Sequence, residues 1–444
     1  MTRQKHSDIR VREQLKALTA DPGYWDFRGG AKRDALHGIT QYPAMMVPAM
    51  QGKLLDVLCD VLGKQIRVVD PFIGSGTTLV ESMRRGLNFW GQDVNPLAVL
   101  ISLSKTGPFD VPELERAVER VYEAAKADHS SSITINFFGR DKWFSFPVLN
   151  DLSRIRRAIQ YEENLWVRRM LWVSLAETVR LTSNSRTSTF KLHVRSKDDL
   201  ESRRVSAIEQ FFSITTDTIA RVHHEYAVLA AANVIYSNNY IGTASVQIGR
   251  SDFSLPGSDL FDLLVTSPPY GDGASTVPYG QYSYLPLHWI DMADIFEDLD
   301  SACLKSTHEI DSRALGGSRR DALIRIENTT KESPVLGRYL NALEAHPRGL
   351  RSKVAAFFAD FARTLDTICK RMRPDSYMVW TVGNRRVGGI LQPLDEILTE
   401  LLEKRGCILV DKLERVIPSK RMAGRNSVSL TMRQEQVLIM RMEG

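Results

Sequence analysis

The sequence predicts an α/β fold with a mostly parallel, doubly wound sheet and a mainly helical insertion. Apolar runs at 66–69 and 261–265 are typical of strands buried on both faces. A Gly-x-Gly turn connects the first run to a helical pattern. The alternation of strands and helices stops between 108 and 244, where helical patterns dominate.

Length and composition limit the classes of protein. The chain has 444 residues, enough for two or three domains or for one domain with large insertions. We divide it into 1–107, 108–244 and 245–444, with a further insertion at about 300–350. No run is apolar enough to span a membrane and no signal-peptide pattern is present, so we expect a cytoplasmic protein without a membrane partner. The four cysteines form no C-x-x-C, so no metal site is expected.

The first region begins with a helical pattern over 10–18. Tyr42 and Pro43 precede a second helix, expected over Ala49 to Leu62. A loop at this place could cover a cofactor; the alternative is a buried aromatic residue leading into the helix.

The glycine turn belongs to the stretch Asp70-Pro71-Phe72-Ile73-Gly74-Ser75-Gly76-Thr77-Thr78, between a strand and a helix that runs to about Arg85. Glycines let the backbone approach a ligand closely, and a helix begins with free N–H groups. The next strand, Asn88 to Gln92, leads into Asp93 and Asn95. Asp93 follows Asp70 by 23 residues, close to the spacing at which an acidic residue accepts from ribose hydroxyls.

The type of ligand follows from what this loop lacks. The full G-x-G-x-x-G of a nicotinamide site is missing, and Thr77 stands where a triphosphate-binding loop needs lysine. Asp-Pro-Phe followed by Gly-x-Gly fits S-adenosylmethionine better, because that ligand carries no phosphate. The alternative is a strand-turn-helix unit without a ligand.

The middle region is expected to contain helices over Glu113 to Ala127, Leu149 to Leu175 and Ser202 to Ala232. Between them, residues 178–197 contain no Asp or Glu. Such a tract suits the phosphates of a nucleic acid, although it could be a solvated basic loop. The candidate binding residues are Arg180, Asn184, Arg186, Lys191, His193 and Arg195.

The third region resumes the strands. Asp252 and Phe253 follow a strand at 244–248, where they could contact an adenine or form a simple turn. A Tyr-rich loop is expected at 277–284, with a helix beginning at His288. Strands at 377–382, 407–413 and 435–442 should complete the sheet, the last two as an antiparallel hairpin.

The most informative stretch is Thr266-Ser267-Pro268-Pro269-Tyr270, which ends the strand at 261–265. Prolines cannot extend the ladder, so a stiff loop forms at the carboxyl end of the strand, where open α/β sheets bind ligands. The amino group of a nucleobase is a poor nucleophile because its lone pair is delocalised. The Ser267 hydroxyl and the Pro268 carbonyl could accept its two N–H bonds while Tyr270 stacks on a flipped base. The alternative is a turn that only ends the strand.

Together the stretches 70–76 and 266–270 resemble the S-adenosylmethionine-dependent DNA amino-methyltransferases, which methylate cytosine N4 or adenine N6. The resemblance implies a Rossmann-like class I methyltransferase sheet, with the insertion as candidate target-recognition region. It implies Ser267, Pro268, Pro269 and Tyr270 as catalytic residues. Implied cofactor contacts are Tyr42, Pro43, Asp70, Pro71, Phe72, Gly74, Gly76, Thr77, Thr78, Asp93, Asn95, Asp252 and Phe253.

Ser267 at the head of the catalytic tetrapeptide favours cytosine N4, although Ser-type members often place the catalytic loop first. The implied partners are double-stranded DNA and a cognate restriction endonuclease. Adenine N6, RNA or a protein glutamine as the methylated group, and a non-catalytic DNA-binding protein on the same fold, stay as alternatives. No cysteine follows a proline, which disfavours the covalent route to cytosine C5.

Overall fold

The computed structural model describes residues 3–28, 33–63, 65–249, 259–271, 276–346, 348–417 and 434–444. Its main sheet contains the strands β1 (Arg67–Asp70), β2 (Asn88–Asp93), β5 (Ala244–Ile248), β6 (Phe261–Thr266), β7 (Met372–Val382), β10 (Cys407–Val416) and β11 (Gln434–Met442). Two short hairpins add β3 (Ile235–Tyr236) with β4 (Asn239–Tyr240), and β8 (Arg386–Val387) with β9 (Ile390–Leu391).

The sheet order is β10-β11-β7-β6-β1-β2-β5. The pairs from β7 to β5 are parallel, and β11 runs antiparallel to both of its neighbours. From β1 the chain proceeds outward through β2 and β5, then returns to β6 on the other side of β1. This reversal forms a switch point between β1 and β6, where doubly wound sheets bind ligands. The mixed, mostly parallel sheet is compatible with the expected Rossmann-like methyltransferase sheet.

Both faces of the central strands are buried, which is why their sequences are continuously apolar. Side chains alternate across the strands: Val68, Leu263 and Val265 pack into one hydrophobic core, and Val69 and Leu264 into a second. The glycine loop (70–78) and the loop at 266–270, called the catalytic loop after its predicted role, are therefore fixed at the ends of strands that pack against a core on each side.

Helices cover the two faces and fill the region between β2 and β5. Up to β5 they are α1 (Arg3–Thr19), α2 (Pro48–Leu62), α3 (Thr77–Met83), α4 (Pro96–Ser104), α5 (Val111–Ala127), α6 (Arg140–Trp143), α7 (Phe146–Gln160), α8 (Leu165–Thr182), α9 (Lys197–Ser202) and α10 (Ala207–Ala231). After β6 they are α11 (Tyr279–Leu287), α12 (Glu309–Arg313), α13 (Ala322–Arg325), α14 (Glu327–Glu332), α15 (Pro334–Ala342), α16 (Arg348–Cys369) and α17 (Leu394–Glu403).

Two predicted elements were wrong. The single helix expected over 149–175 is two helices, α7 and α8, because Asn164 accepts hydrogen bonds from Trp166 N and Val167 N and so begins a new helix. The Tyr-rich loop expected at 277–284 is mostly α11, and His288 follows the end of this helix instead of beginning one. Tyr282, Tyr284 and Leu285 of α11 are buried, so core packing explains the tyrosines.

The carboxyl-terminal hairpin confirms the predicted antiparallel end of the sheet: β10 and β11 pair from Cys407 with Met442 to Val416 with Gln434. Helix α1 joins this edge through Asp8, which accepts hydrogen bonds from Arg441 at 2.9 Å and Tyr377 at 2.8 Å. Across the ranges given above, we find no helix with the length and apolar character needed to cross a bilayer.

Candidate active site

The glycine loop is held in place by side chains of α4 and of Lys105, the residue that follows this helix. Ser102 Oγ donates to the Gly74 carbonyl at 3.1 Å, and Lys105 Nζ donates to the Ser75 carbonyl at 2.5 Å. Gly76 has φ +78, and a Cβ there would lie 2.9 Å from Ser102 Oγ. Packing against α4 therefore explains the glycine at position 76, whereas we expected a close approach to a ligand.

Asp70 connects the glycine loop to the catalytic loop. Its Oδ1 accepts from Phe72 N at 3.1 Å and from Thr266 Oγ1 at 2.6 Å, across the β1–β6 pair. Burial raises the pKa of Asp70 to about 6. Thr78 Oγ1 donates to the Val265 carbonyl at 3.2 Å, a second link between the same two segments. The two loops are thus one hydrogen-bonded unit.

Asp93, at the end of β2, lies beside the glycine loop. Its Oδ2 accepts from Gly74 N at 3.0 Å and its Oδ1 from Asn95 N at 2.8 Å. Burial raises the pKa of Asp93 to about 6. Each oxygen keeps further acceptor capacity toward the cavity, as a residue that binds hydroxyl groups requires.

Asn95 fixes the segment at 42–46, called the Tyr42 segment below. Its Oδ1 accepts from Leu97 N and begins α4, while its Nδ2 donates to Tyr42 Oη at 3.0 Å and to Ser283 Oγ at 2.8 Å. Tyr42 stacks on Tyr279 of α11, with ring centroids 5.8 Å apart. The buried Asn95 therefore holds the Tyr42 segment and α11 together.

The catalytic loop carries a chain of polar contacts. Ser267 Oγ lies 3.2 Å from Tyr270 Oη, and Tyr270 Oη donates to Glu435 Oε1 at 3.2 Å. Burial, and secondarily the charge of Glu435, raise the pKa of Tyr270 well above its ordinary value, so the phenol keeps its proton at neutral pH. The other oxygen of Glu435, Oε2, lies 3.1 Å from Nη1 of the buried Arg415.

These loops surround one cavity, at the switch point between β1 and β6. Its walls are the Tyr42 segment, the glycine loop, the end of β2, the catalytic loop, and α11, α12 and α16. The described lining includes the acids Asp93 and Asp311 but no lysine or arginine. Such a cavity suits a ligand without phosphates, since phosphate sites use basic side chains.

The structure brings most of the expected site residues to this cavity. The predicted residues that line it are Tyr42, Pro43, Pro71, Phe72, Gly74, Thr77, Asp93, Asn95, Ser267 and Pro269. The predicted residues that are not among the described lining are Asp70, Gly76, Thr78, Pro268 and Tyr270. Asp252 and Phe253 lie outside the described residues.

Sequence reasoning placed the stretch that contains Tyr279 beside the site but missed other parts of the cavity wall. These include Met45, Met46, Ile310, Ala314 and Leu315. Apolar residues in segments without a motif carry no signal of ligand contact. Glu435 and Arg415 were missed for another reason: they reach the catalytic loop from strands distant in sequence.

The basic tract at 178–197 is divided between two environments. Arg180 pairs with Glu177 at 2.6 Å and Arg195 with Asp199 at 3.0 Å, acids that flank the tract. Arg186, Lys191 and His193 are exposed. Asn184 donates to the Lys142 carbonyl at 3.1 Å, so its amide fixes the loop to α6.

The loop at 183–196 is attached to the active-site side of the molecule through α11. Leu192 N donates to Gln281 Oε1 at 3.2 Å, and Phe190 packs edge-on against Tyr282 at 5.7 Å. Tyr279 of the same helix lines the cavity. The exposed Arg186, Lys191 and His193 therefore lie on a loop that contacts a helix of the cavity wall.

The segment at 300–350 forms the helices α12 to α15. Two of its arginines are paired, Arg313 with Asp300 and Arg325 with Asp360. The exposed Arg320 lies 3.6 Å from Asp321. A role of this segment in DNA contact stays a prediction.

Comparison with known proteins gives relatives of one kind. The chain is 29% identical to the type II methyltransferase M.MvaI of Kocuria varians, over 96% of this chain and 95% of that protein. It is 22% identical to the type II methyltransferase M.BsoBI of Geobacillus stearothermophilus, over 78% of this chain and 74% of the relative. Its relatives are type II methyltransferases.

A third methyltransferase, M.MjaII of Methanocaldococcus jannaschii, is 37% identical over 81 residues, which are 18% of this chain and 15% of that protein. No protein-family model matches the sequence. The relatives agree with the methyltransferase part of the resemblance.

Proposed function

We propose that this protein is a site-specific DNA methyltransferase that transfers a methyl group from S-adenosylmethionine to the amino group of a flipped base, with cytosine N4 as the preferred target. One observation carries the proposal. The glycine and catalytic loops are distant in sequence, yet they line one cavity and are hydrogen-bonded through Asp70. The type II methyltransferase relatives support the same activity.

The residues present fit S-adenosylmethionine. The carboxylate of Asp93 suits the ribose hydroxyls, and the apolar covering by Pro43 and Met45 suits a flat, uncharged ring. The absence of basic residues from the described lining fits a ligand whose reactive centre is a cation. When bound, S-adenosylmethionine supplies an electrophilic methyl group.

The catalytic loop would position the base. Ser267 Oγ and the Pro268 carbonyl oxygen accept hydrogen bonds from the two N–H groups of the amino group, which directs its lone pair at the methyl group. Stacking of the Tyr270 ring on the base stays a prediction, since Tyr270 is not among the described residues that line the cavity. The rate enhancement then arises from orientation and from exclusion of water, without a covalent enzyme intermediate.

The exposed side chains of Arg186, Lys191 and His193 would contact DNA phosphates and position the duplex. Their loop contacts α11, a helix of the cavity wall, so a duplex bound there lies near the catalytic loop. We infer that a flipped base then enters the cavity from this side.

The test is methyl transfer from labelled S-adenosylmethionine to mixed-sequence duplex DNA, with nucleoside analysis of the product. N4-methylcytosine is the expected product. N6-methyladenine would keep the mechanism and change the base. Label in RNA or in protein but none in DNA would overturn the substrate, and no transfer to any of them would favour a non-catalytic DNA-binding protein.

Replacement of Ser267 by Ala should lower kcat by about 100-fold, the loss typical when one group that stabilises the transition state is removed. The affinity for S-adenosylmethionine, measured by calorimetry, should change less than about twofold, since the remaining lining is untouched. Ser213→Ala on the exposed side of α10 is the control. Full activity of Ser267→Ala would contradict the assigned catalytic loop.

A further inference from the structure

The hydroxyls of the catalytic loop have a defined hydrogen-bond direction. An ionised carboxylate only accepts hydrogen bonds, so Tyr270 Oη must be the donor in its 3.2 Å contact with Glu435 Oε1. A phenol has one hydrogen. In the 3.2 Å contact between Tyr270 Oη and Ser267 Oγ, the serine must therefore be the donor.

We propose that Glu435 is a positioning residue that makes Ser267 Oγ an obligate acceptor for the amino group of the target base. This inference rests on the proposed function and deepens it. Because the Ser267 hydrogen is directed at Tyr270, only lone pairs of Ser267 Oγ remain for the substrate. A freely rotating hydroxyl could present its hydrogen to the substrate N–H instead, and this contact would be repulsive.

Arg415 sets the orientation of Glu435. Its guanidinium is buried and lies 3.1 Å from Glu435 Oε2, which leaves Oε1 for Tyr270. The two residues face each other on the paired strands β10 and β11, where Arg415 is opposite Glu435. The sheet edge thus fixes the hydroxyl direction at a loop that follows β6.

Glu435→Gln tests the direction of the hydrogen bonds from Ser267 through Tyr270 to Glu435, because it keeps nearly the same side-chain shape. Arg415 should bind the amide oxygen, which turns the amide NH₂ toward Tyr270 Oη. The tyrosine hydrogen then points to Ser267, and the Ser267 hydrogen must point elsewhere. We expect kcat to fall at least about 10-fold, while the affinities for S-adenosylmethionine and DNA change less than about twofold.

Tyr270→Phe removes the central hydroxyl and keeps the aromatic ring. If Glu435 acts only through that hydroxyl, adding Glu435→Gln to Tyr270→Phe should lower kcat no further than about twofold. A merely structural Glu435 would instead give losses that multiply in the double variant, together with a lower Tm. Glu414→Gln is the matched control, since Glu414 lies on the same hairpin and pairs with Gln434 and Gln436.

The outcomes separate this inference from the proposed function. Wild-type protein that does not methylate DNA overturns both. An active wild type with full activity in Glu435→Gln, or with multiplied losses in the double variant, overturns only the role of Glu435. If Glu435→Gln does not fold, Tyr270→Phe decides alone, and its full activity would overturn the inference.

Discussion

At the scale of single residues, the site depends on two carboxylates, the buried Asp70 and the half-buried Asp93, that each serve two segments. Asp93 holds Gly74 N and Asn95 N while facing the cavity, and Asp70 holds Phe72 N and Thr266 Oγ1. Such residues hold the backbone of the loops in place and also contribute to the chemistry of the site. Replacing them should therefore change the shape of the loops together with any contact to a ligand.

The raised pKa of Asp93 predicts how cofactor binding depends on pH. If only the ionised carboxylate binds the ribose hydroxyls, a proton competes with the cofactor below pH 6. The Kd for S-adenosylmethionine should then be about 10-fold higher at pH 5 than at pH 8, whereas a carboxyl at its ordinary pKa of 3.8 would leave it nearly constant. Calorimetric titrations from pH 5 to 8 measure this.

Asp93→Asn is the control, because it removes the titrating group. We expect it to bind S-adenosylmethionine more weakly at pH 8 and to show a smaller change between pH 8 and pH 5. A wild-type Kd that stays constant over this range would contradict the assigned role of Asp93.

At the scale of elements, local signals explain which parts the sequence could predict. The sequence predicted strands β1 and β6 and the loops after them, because an apolar run followed by Gly or Pro has few alternative structures. Helix α11 was mistaken for a loop because its tyrosines, Gly280 and Pro286 resemble a loop composition. The helical structure of α11 depends on the burial of its tyrosines against other helices, and a local sequence pattern does not show this burial.

The polar chain through Glu435 shows the same limit at the site. Tyr270 and Glu435 are 165 positions apart, and their contact depends on β7 and β11 being neighbours. The tetrapeptide at 267–270 predicts what chemistry the loop offers. It carries no information about the residue that orients it.

The loop at 183–196 carries the prediction for DNA binding. Arg186→Ala and Lys191→Ala should each weaken DNA binding at all sequences and reduce the slope of log K against log salt by about 1, since each removes one phosphate contact. Fluorescence anisotropy at several salt concentrations measures both. Lys16→Ala, on the exposed side of α1, is the control and should leave the slope unchanged. An unchanged slope in both loop variants would place the DNA elsewhere.

At the scale of the whole molecule, the two cores on the faces of the sheet make the fold, and buried polar contacts attach the outlying elements. Asp8 connects α1 to β7 and β11 through Tyr377 and Arg441, and the side chains of Asp8 and Arg441 are only 9% and 8% exposed. Sequence reasoning predicted a helix near residues 10–18 but gave it no role. Its partners lie at the far end of the chain.

Asp8→Ala should lower the free energy of unfolding by about 3 kcal/mol, because it leaves the Arg441 guanidinium buried with only part of its ion pairing. Urea denaturation followed by fluorescence measures the change. Asp60→Ala breaks the exposed ion pair between Asp60 of α2 and Arg10, which lies on α1 as Asp8 does. This change should lower the free energy of unfolding by less than about 1 kcal/mol. Equal losses in the two variants would contradict the importance of burial.

The contact between Asp8 and Arg441 also predicts that the chain tolerates circular permutation. Residues 433 positions apart along the chain touch in space. A circularly permuted gene, in which a short linker joins these two regions and the coding sequence is opened in an exposed loop between the glycine loop and the catalytic loop, should encode the same sheet. The catalytic loop would then precede the glycine loop in translation while both kept their places beside the cavity. We therefore expect the order of the two loops along the chain to change in such a variant while the site itself stays the same.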